Sequence, residues 1–226
     1  MSGVCLGLSG GMDSATMLAV ILDSWEKDHK KVFCLGFNYG SKHNKYENIA
    51  AEAIAKYYDV SYKLIDLTNV GELLKSNLML TGGDIPEGHY NDASMSQTVV
   101  PGRNIIFASI LAGYAWSNDC DKIALGVHLG DNSIYPDCRR EFIKSLDTTI
   151  YLGTDKRVEV IAPFGQMNKT DICRVGLGLK VPYKLTRTCY TSNEDSCNFC
   201  GACVERKEAF QLNNSIDPIK YQVLYV

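Results

Sequence analysis

No apolar run in this 226-residue chain approaches the ~18 residues that a membrane-spanning helix needs. The N-terminal MSGVCLGLSGG lacks a basic stretch leading into a long apolar one, so no signal peptide is expected. Positive charge is not in excess either. With 23 Lys and Arg against 26 Asp and Glu, the net charge of −3 argues against broad electrostatic binding of nucleic acid. A small molecule becomes the default substrate. There is no internal repeat and no low-complexity tract, and the length suits one large α/β domain with a small appendage rather than two full domains. The nine cysteines are an odd number without an export signal, which favours a reducing cytoplasm over a disulfide framework.

What is present is a sizeable core-forming fraction, 46% hydrophobic residues, arranged in alternating patterns. Residues 4–8, 32–38, 61–67, 122–127 and 158–162 read as strands. Residues 13–27, 43–58, 105–117, 140–152 and 169–177 read as helices, and 105–117 is apolar almost all round, so it is expected to be well buried. Strands alternating with helices predict an α/β fold, a parallel sheet of Rossmann type with helices on both faces. Residues 68–103 form a long Gly- and Pro-punctuated connection of the kind that is functional or mobile. Composition shifts after Pro182, dividing the chain into an α/β domain, 1–182, and a cysteine-rich C-terminal region, 183–226, that ends in the strand-like IKYQVLYV.

Between the first strand and the first helix stands Ser9-Gly10-Gly11-Met12-Asp13-Ser14. Glycines at such a turn let backbone N–H groups approach an anion, and the helix N-terminus adds favourable charge. A local alternative is a tight turn in which Asp13 or Ser14 caps the helix. No lysine follows the glycines, so this is not a Walker loop. The S-G-G-x-D-S string resembles the PP-loop ATP pyrophosphatases. That resemblance implies a loop that holds the β- and γ-phosphates of ATP as a leaving pyrophosphate, while an acceptor oxygen attacks the α-phosphate. The nucleotide-binding segment is then Leu8, Ser9, Gly10, Gly11, Met12, Asp13, Ser14, Ala15, Thr16, Met17 and Leu18.

Four cysteines crowd into CYTSNEDSCNFCGAC: Cys189, Cys197, Cys200 and Cys203. Two C-x2-C steps can reach one ion, with Gly201 easing the knuckle and Cys189 closing a tetrahedron. Four sulfurs with no open position indicate structural Zn²⁺, one per chain, and an iron–sulfur cluster is the competing reading. The other five cysteines, Cys5, Cys34, Cys120, Cys138 and Cys173, read as ordinary buried thiols.

Taken in order, SGGMDS, FNYGSKH at 37–43, EGHYNDASMSQTVVPGRN at 87–104, GVHLGD at 126–131, YPDCRREF at 135–142, Lys169 and the cysteine knuckle running into ERKEAF resemble the 7-cyano-7-deazaguanine synthase (QueC) family. The resemblance spans residues 5 to 210. It implies conversion of 7-carboxy-7-deazaguanine and ammonia to a nitrile, with ATP and Mg²⁺ consumed in two adenylations, by a cytoplasmic homodimer that needs no membrane and no nucleic acid. Asp13 should line the phosphate site, and Arg103 and Lys169 should bring fixed positive charge to it. Asp131, Asp137 and Arg139, on the loop after the fourth strand, suit the N–H donors and carboxylate of a deazaguanine; alternatively their charges cap the following helix. His128 is either a base or a strand-end histidine.

The chain departs from the family pattern at Ser41 and Lys42, where Gln-Arg is usual, at Tyr46, where a glutamate is usual and Glu47 stands one residue later, and at Ile134, where a glycine is usual. Isoleucine disfavours positive φ, so a β-region backbone is expected at position 134. Two rival activities remain: a PP-loop relative that stops at the amide or adenylates another carboxylate, and a tRNA-thiolating PP-loop enzyme. A third possibility is a zinc-knuckle binding module for which the α/β domain is only a scaffold.

Overall fold

The computed structural model describes residues 3–25, 31–90 and 92–222. Five parallel strands form one sheet in the order β3-β2-β1-β4-β5. β1 (Gly3–Gly7) is central and pairs with β2 (Lys31–Asn38) on one side and β4 (Lys122–Ala124) on the other. β3 (Ser61–Asp66) and β5 (Glu159–Ile161) are the edges. The chain therefore builds outward from β1 through β2 to β3, then returns to start again at β4. This reversal opens a crevice at the carboxyl ends of β1 and β4, where ligands of open α/β sheets bind.

Side chains alternate across β1, and each face has its own core. Val4 and Leu6, with Leu8 beyond the strand, join α1 (Met12–Trp25), α2 (Asn44–Tyr57), α6 (Lys169–Gly178) and α7 (Gly201–Leu212) through Met17, Leu18, Ile54, Ile172 and Phe210. Cys5 faces the opposite core, made with α4 (Arg103–Ser117) and α5 (Arg140–Gly153) through Leu111, Ala115, Leu146 and Ile150. Ala209 and Phe210 thus tie the C-terminal region into the same core as α1.

Several expectations need correction. β4 and β5 have three residues each, because the chain leaves the ladder after the Leu125 N–H donates to the Ile161 carbonyl at 3.0 Å and turns into the cleft wall. α4 is not buried all round. Ala108, Leu111, Ala112 and Ala115 face the sheet, whereas Ile105 and Trp116 are 48% and 41% exposed, since a helix outside a sheet has only one face to cover. Ile134 has φ −104° and ψ −46°, negative in φ as expected but helical in ψ, because it closes the 3-10 turn Leu129–Ser133. The described part of the expected terminal strand makes a single parallel bridge, Ser196 to Tyr221; residues 223–226 and the expected end of α1 at 26–27 lie outside the described residues.

The long connection 68–103 is an anchored roof. It carries α3 (Thr68–Gly71) and a 3-10 turn, Ala93–Thr98, and buries Leu78, Met79 and Met95. Its backbone polar groups find partners at two places. Near the second strand, Ser41 bridges Met79, the Lys42 N–H donates to the Leu78 carbonyl at 2.8 Å, and the Lys42 ammonium donates to the carbonyls of Asn77, Gly82 and Gly83. Near the cysteines, Glu87 bridges Cys200 and the Gly88 N–H donates to the Phe199 carbonyl at 3.2 Å.

Candidate functional site

A cavity of about 230 Å³ lies at the carboxyl ends of β1, β2 and β4. Its floor is the glycine loop. Gly10 has φ +83°, and a Cβ there would lie 2.4 Å from the Glu47 carbonyl oxygen, so only glycine lets the loop seat against α2. The Ser9 hydroxyl accepts from the Gly11 N–H at 3.3 Å and meets the Ser14 hydroxyl at 3.1 Å. Of the expected nucleotide segment, Leu8, Ser9, Gly11, Met12, Asp13 and Ser14 line the cavity. Gly10 lies behind it, its carbonyl accepting from the Arg187 N–H at 2.8 Å. Ala15, Thr16, Met17 and Leu18 turn into the core, Thr16 through hydrogen bonds to the Met12 carbonyl and the Tyr183 hydroxyl.

Asp13, in the first turn of α1, faces Lys169, the first residue of α6, with Oδ2 to Nζ at 2.5 Å. A capping box between Asn168 and Asp171 fixes the start of α6 and therefore where Lys169 emerges. The same ammonium lies 3.2 Å from Glu205 of α7. Burial alone would raise the Asp13 pKa, but Lys169, helped by His128 and Arg206, outweighs it and holds the carboxyl below its ordinary range. Burial opposes the charge on Lys169, yet Asp13 and Glu205 hold its pKa above the ordinary value. Glu205 is pushed upward by burial, which Lys169 and His128 only partly offset. Asp13 Oδ1 is buried without a hydrogen-bond partner, so this carboxylate has a free lone-pair side suited to a cation.

The opposite wall is aromatic. Phe37 and Phe107 stack with centroids 4.1 Å apart, and Tyr39 meets Phe107 edge-on. Arg103, at the start of α4, donates to the Tyr39 hydroxyl at 3.4 Å. His43 and Glu47 approach from α2, with Nε2 to Oε2 at 3.6 Å. Burial, reinforced by Arg103, holds His43 down to about 3, so its ring is neutral. Burial pushes Glu47 up to about 8, with Arg103 and Arg187 offsetting only part of the shift. Tyr46, the residue that replaces the family's usual glutamate, lies under the Arg187 guanidinium at 5.1 Å. That guanidinium donates to the carbonyls of Thr191, Asn193 and Glu194, tying the cleft to the cysteine loop.

The loop after β4 separates the remaining expected residues. Asp131 lines the cleft and accepts from the Tyr90 hydroxyl at 2.8 Å, with His128 Nε2 at 3.4 Å. His128 Nδ1 accepts from the Gly130 N–H at 3.1 Å, which places the ring's N–H on Nε2, toward the carboxylates, and leaves no free basic nitrogen. Asp137 does not line the cleft. Its carboxylate accepts from the Asn104 N–H at 2.9 Å and its carbonyl from the Asn104 side chain, so it caps α4 rather than the helix that follows it. Arg139 also lies outside the cleft, exposed, as the residue that precedes α5.

All four cysteine sulfurs of the knuckle are buried and lie within 4.8 Å of one another. Backbone N–H groups of Cys197 and Cys200 donate to the sulfurs of Cys189 and Cys197, both at 3.3 Å. The donor set fits one thiophilic ion with a closed coordination shell. The left-handed residue in the knuckle is Asn198, φ +79°, and not Gly201. Gly201 is instead a close-approach residue, since a Cβ there would meet Met95 Sδ at 2.8 Å. Sequence reasoning missed Glu205, Arg187, Glu47, His43 and Tyr190 as cleft residues. Arg187, Tyr190 and Glu205 stand within two residues of a cysteine of the knuckle, which is the signal that could have found them.

Residues 3–214 match the family described as queuosine biosynthesis protein QueC. The 7-cyano-7-deazaguanine synthase of Pseudoalteromonas atlantica is 42% identical over 214 residues, covering 95% of this chain and 96% of the relative. The enzyme of the same name from Archaeoglobus fulgidus is 43% identical over 213 residues, covering 94% and 87%. Among solved structures, the U34-tRNA thiolase NcsA from Methanococcus maripaludis, with its 4Fe-4S cluster, aligns with a TM-score of 0.51 at 17% identity. That alignment covers 94% of this chain and 64% of the thiolase, and what it shares is the fold.

Proposed function

The chain belongs to the queuosine biosynthesis protein QueC family, and from that membership we propose that it converts 7-carboxy-7-deazaguanine and ammonia to 7-cyano-7-deazaguanine at the expense of ATP. The observation that carries the reading is the lysine-free glycine loop at the carboxyl end of β1, with Asp13 and Lys169 paired beside it.

A carboxylate is a poor electrophile because its oxygen leaves badly. In the first half-reaction the substrate carboxylate attacks the α-phosphate of ATP and pyrophosphate departs. Ammonia then displaces AMP, giving the amide and a proton. In the second half the amide oxygen attacks another α-phosphate, pyrophosphate and one N–H proton depart, and loss of AMP with the other N–H proton leaves the nitrile. Ser9, Gly11 and Ser14 offer donors to the phosphates. Lys169 and Arg103 supply positive charge that needs no rearrangement as the pentavalent phosphate forms. The aromatic wall excludes water from an adenylate that water would otherwise hydrolyse.

Mg²⁺, held by Asp13 through its unpaired Oδ1 together with Glu205, would neutralise charge on the departing pyrophosphate. Zn²⁺, held by Cys189, Cys197, Cys200 and Cys203, would contribute folding free energy and orient the segment that carries Arg187, Tyr190 and Glu205. Among the described residues no helix is long and apolar enough to cross a membrane. A homodimer in the cytoplasm, using free ammonia, completes the reading and rests on the family resemblance. Incubation with ATP, ammonium and 7-carboxy-7-deazaguanine should yield AMP, pyrophosphate and the nitrile by mass spectrometry. ADP and phosphate as products would overturn the reading, and an amide end point would limit it to the first half-reaction.

A further inference from the structure

Four carboxylates line the cleft: Asp13, Glu47, Asp131 and Glu205. Three of them are engaged. Asp13 and Glu205 share Lys169 at 2.5 and 3.2 Å. Asp131 takes the Tyr90 hydroxyl and faces His128 through both its ring and its backbone N–H. Glu47 differs. Its side chain is 17% exposed, His43 Nε2 lies 3.6 Å from it, and it makes no hydrogen bond among the described residues. A mostly buried carboxyl without a donor is costly, and in a native fold it calls for an explanation.

The surroundings supply one. Glu47 lines the same cavity as Phe37, Phe107, Tyr39 and Tyr190, whose rings form an aromatic wall against which a planar heterocycle can lie flat with one edge presented to α2. Building on the function proposed above, we propose that Glu47 is the specificity residue for the base, its carboxylate accepting the paired ring N–H and exocyclic N–H of a 2-aminopyrimidin-4-one edge. Two parallel donors match a carboxylate's two oxygens, in the manner of other bidentate pairs. An adenine edge presents a donor beside an acceptor and leaves one carboxylate oxygen facing a lone pair. Once ionised, Glu47 therefore tells the deazaguanine from the adenine of ATP in the same cleft. Asp131 and Asp137, the carboxylates the sequence suggested for this task, are occupied elsewhere.

The electrostatics agree with this assignment. The charged and titratable groups facing Glu47 are His43 from the start of α2, Tyr39 from the end of β2, Tyr62 from β3, Arg103 from α4 and Arg187 from the segment before Cys189. Burial pushes the Glu47 carboxyl up to about 8, so the empty cleft holds it protonated at neutral pH. A two-donor edge binds the ionised form, and binding must expel that proton. Affinity for the base then rises with pH up to about 8 and levels off above it.

The test uses the full-length protein and titration calorimetry with 7-carboxy-7-deazaguanine at pH 7 in two buffers of different ionisation enthalpy. Wild type should release close to one proton, and Glu47→Gln none. Glu47→Gln should weaken binding of the base by about ten- to a hundredfold while leaving the Kd for ATP alone within about twofold. The analogue lacking the 2-amino group should bind wild type about tenfold or more weakly than the parent, yet bind Glu47→Gln almost as well as the parent does. Glu47→Asp, which keeps the charge, guards against a folding defect and should retain proton release. Equal losses on removing the 2-amino group in wild type and Glu47→Gln, or no proton release by wild type, would overturn the assignment while the activity stands. A wild type that neither binds nor consumes 7-carboxy-7-deazaguanine overturns the function, and the assignment with it.

Discussion

Lys169 Nζ lies 2.5 Å from Asp13 Oδ2, joining the first turns of α1 and α6 directly above the glycine loop. The two residues are 156 positions apart in sequence, so the pair is a product of the sheet's topology and not of a local motif. Glu205 supplies a second carboxylate to the same ammonium. Positive charge beside the glycine loop is thereby held in one place.

Replacing Lys169 by Met should lower kcat by about a hundredfold to a thousandfold, the usual loss when a fixed charge is removed from a developing anion. It also leaves Asp13 and Glu205 facing each other in a poorly solvated site, so the urea midpoint should fall. Adding Asp13→Asn to Lys169→Met should restore much of the midpoint without restoring activity. Recovery of both would mean that the lysine has only a structural role.

Stability should depend on pH through Glu47. A carboxyl whose folded pKa lies above its unfolded value favours the folded state while protonated, and that contribution is lost as pH rises through the folded value. The window runs from the ordinary value of 4.5 to about 8. Across it the wild type should lose at most about 1.4 kcal/mol per pH unit from this group, and Glu47→Gln should show a flatter profile. Asp13 and Lys169 act outside this window. The lowered Asp13 pKa withdraws its stabilisation only in acid, and the raised Lys169 pKa withdraws its own only in strong base.

Metal analysis should find one zinc per chain in colourless protein. Cys197→Ser should lose the metal, lower Tm and weaken ATP binding together, because Arg187, Tyr190 and Glu205 flank the ligands. A visible charge-transfer band with iron and sulfide present would replace zinc by an iron–sulfur cluster and bring back the thiolase reading.

Asp137→Ala should cost about 0.5–2 kcal/mol of stability, the value of a helix cap, with KM for the base nearly unchanged. Arg139→Lys should leave kcat/KM within about twofold. A tenfold rise in KM for either variant would return that residue to the substrate site.

Much of the architecture was legible because its signals are local. The apolar run before Ser9-Gly10-Gly11, the alternating periods of strand and helix and the spacing of the four cysteines each lie within a few residues of sequence. Other features were hidden for definite reasons. Glu47, Arg187 and Glu205 are single ionisable residues on separate elements; Arg187 and Glu205 had only their closeness to the knuckle cysteines to mark them, and the three meet in one cavity only through the fold. Asp137 looked like a ligand for substrate because its partner, the Asn104 N–H, lies 33 positions earlier in the chain. β4 was read too long because apolar residues continue past the last ladder pair into the cleft wall, as Leu125 and Val127 do. The exposed side of α4 could not be inferred from residues that are apolar on every face.

The roof's attachment beside Cys200 has a consequence for biosynthesis. Gly88 and Glu87 find their partners in Phe199 and Cys200, and Lys169 finds one of its two carboxylates in Glu205. A ribosome has made all five strands of the sheet before any of these partners emerges from the exit tunnel. The sheet can form early, but the nascent protein has an open and unbalanced cleft until its last helix docks. Translation that stops short of α7 therefore leaves a fragment whose glycine loop stands beside a Lys169 that lacks Glu205.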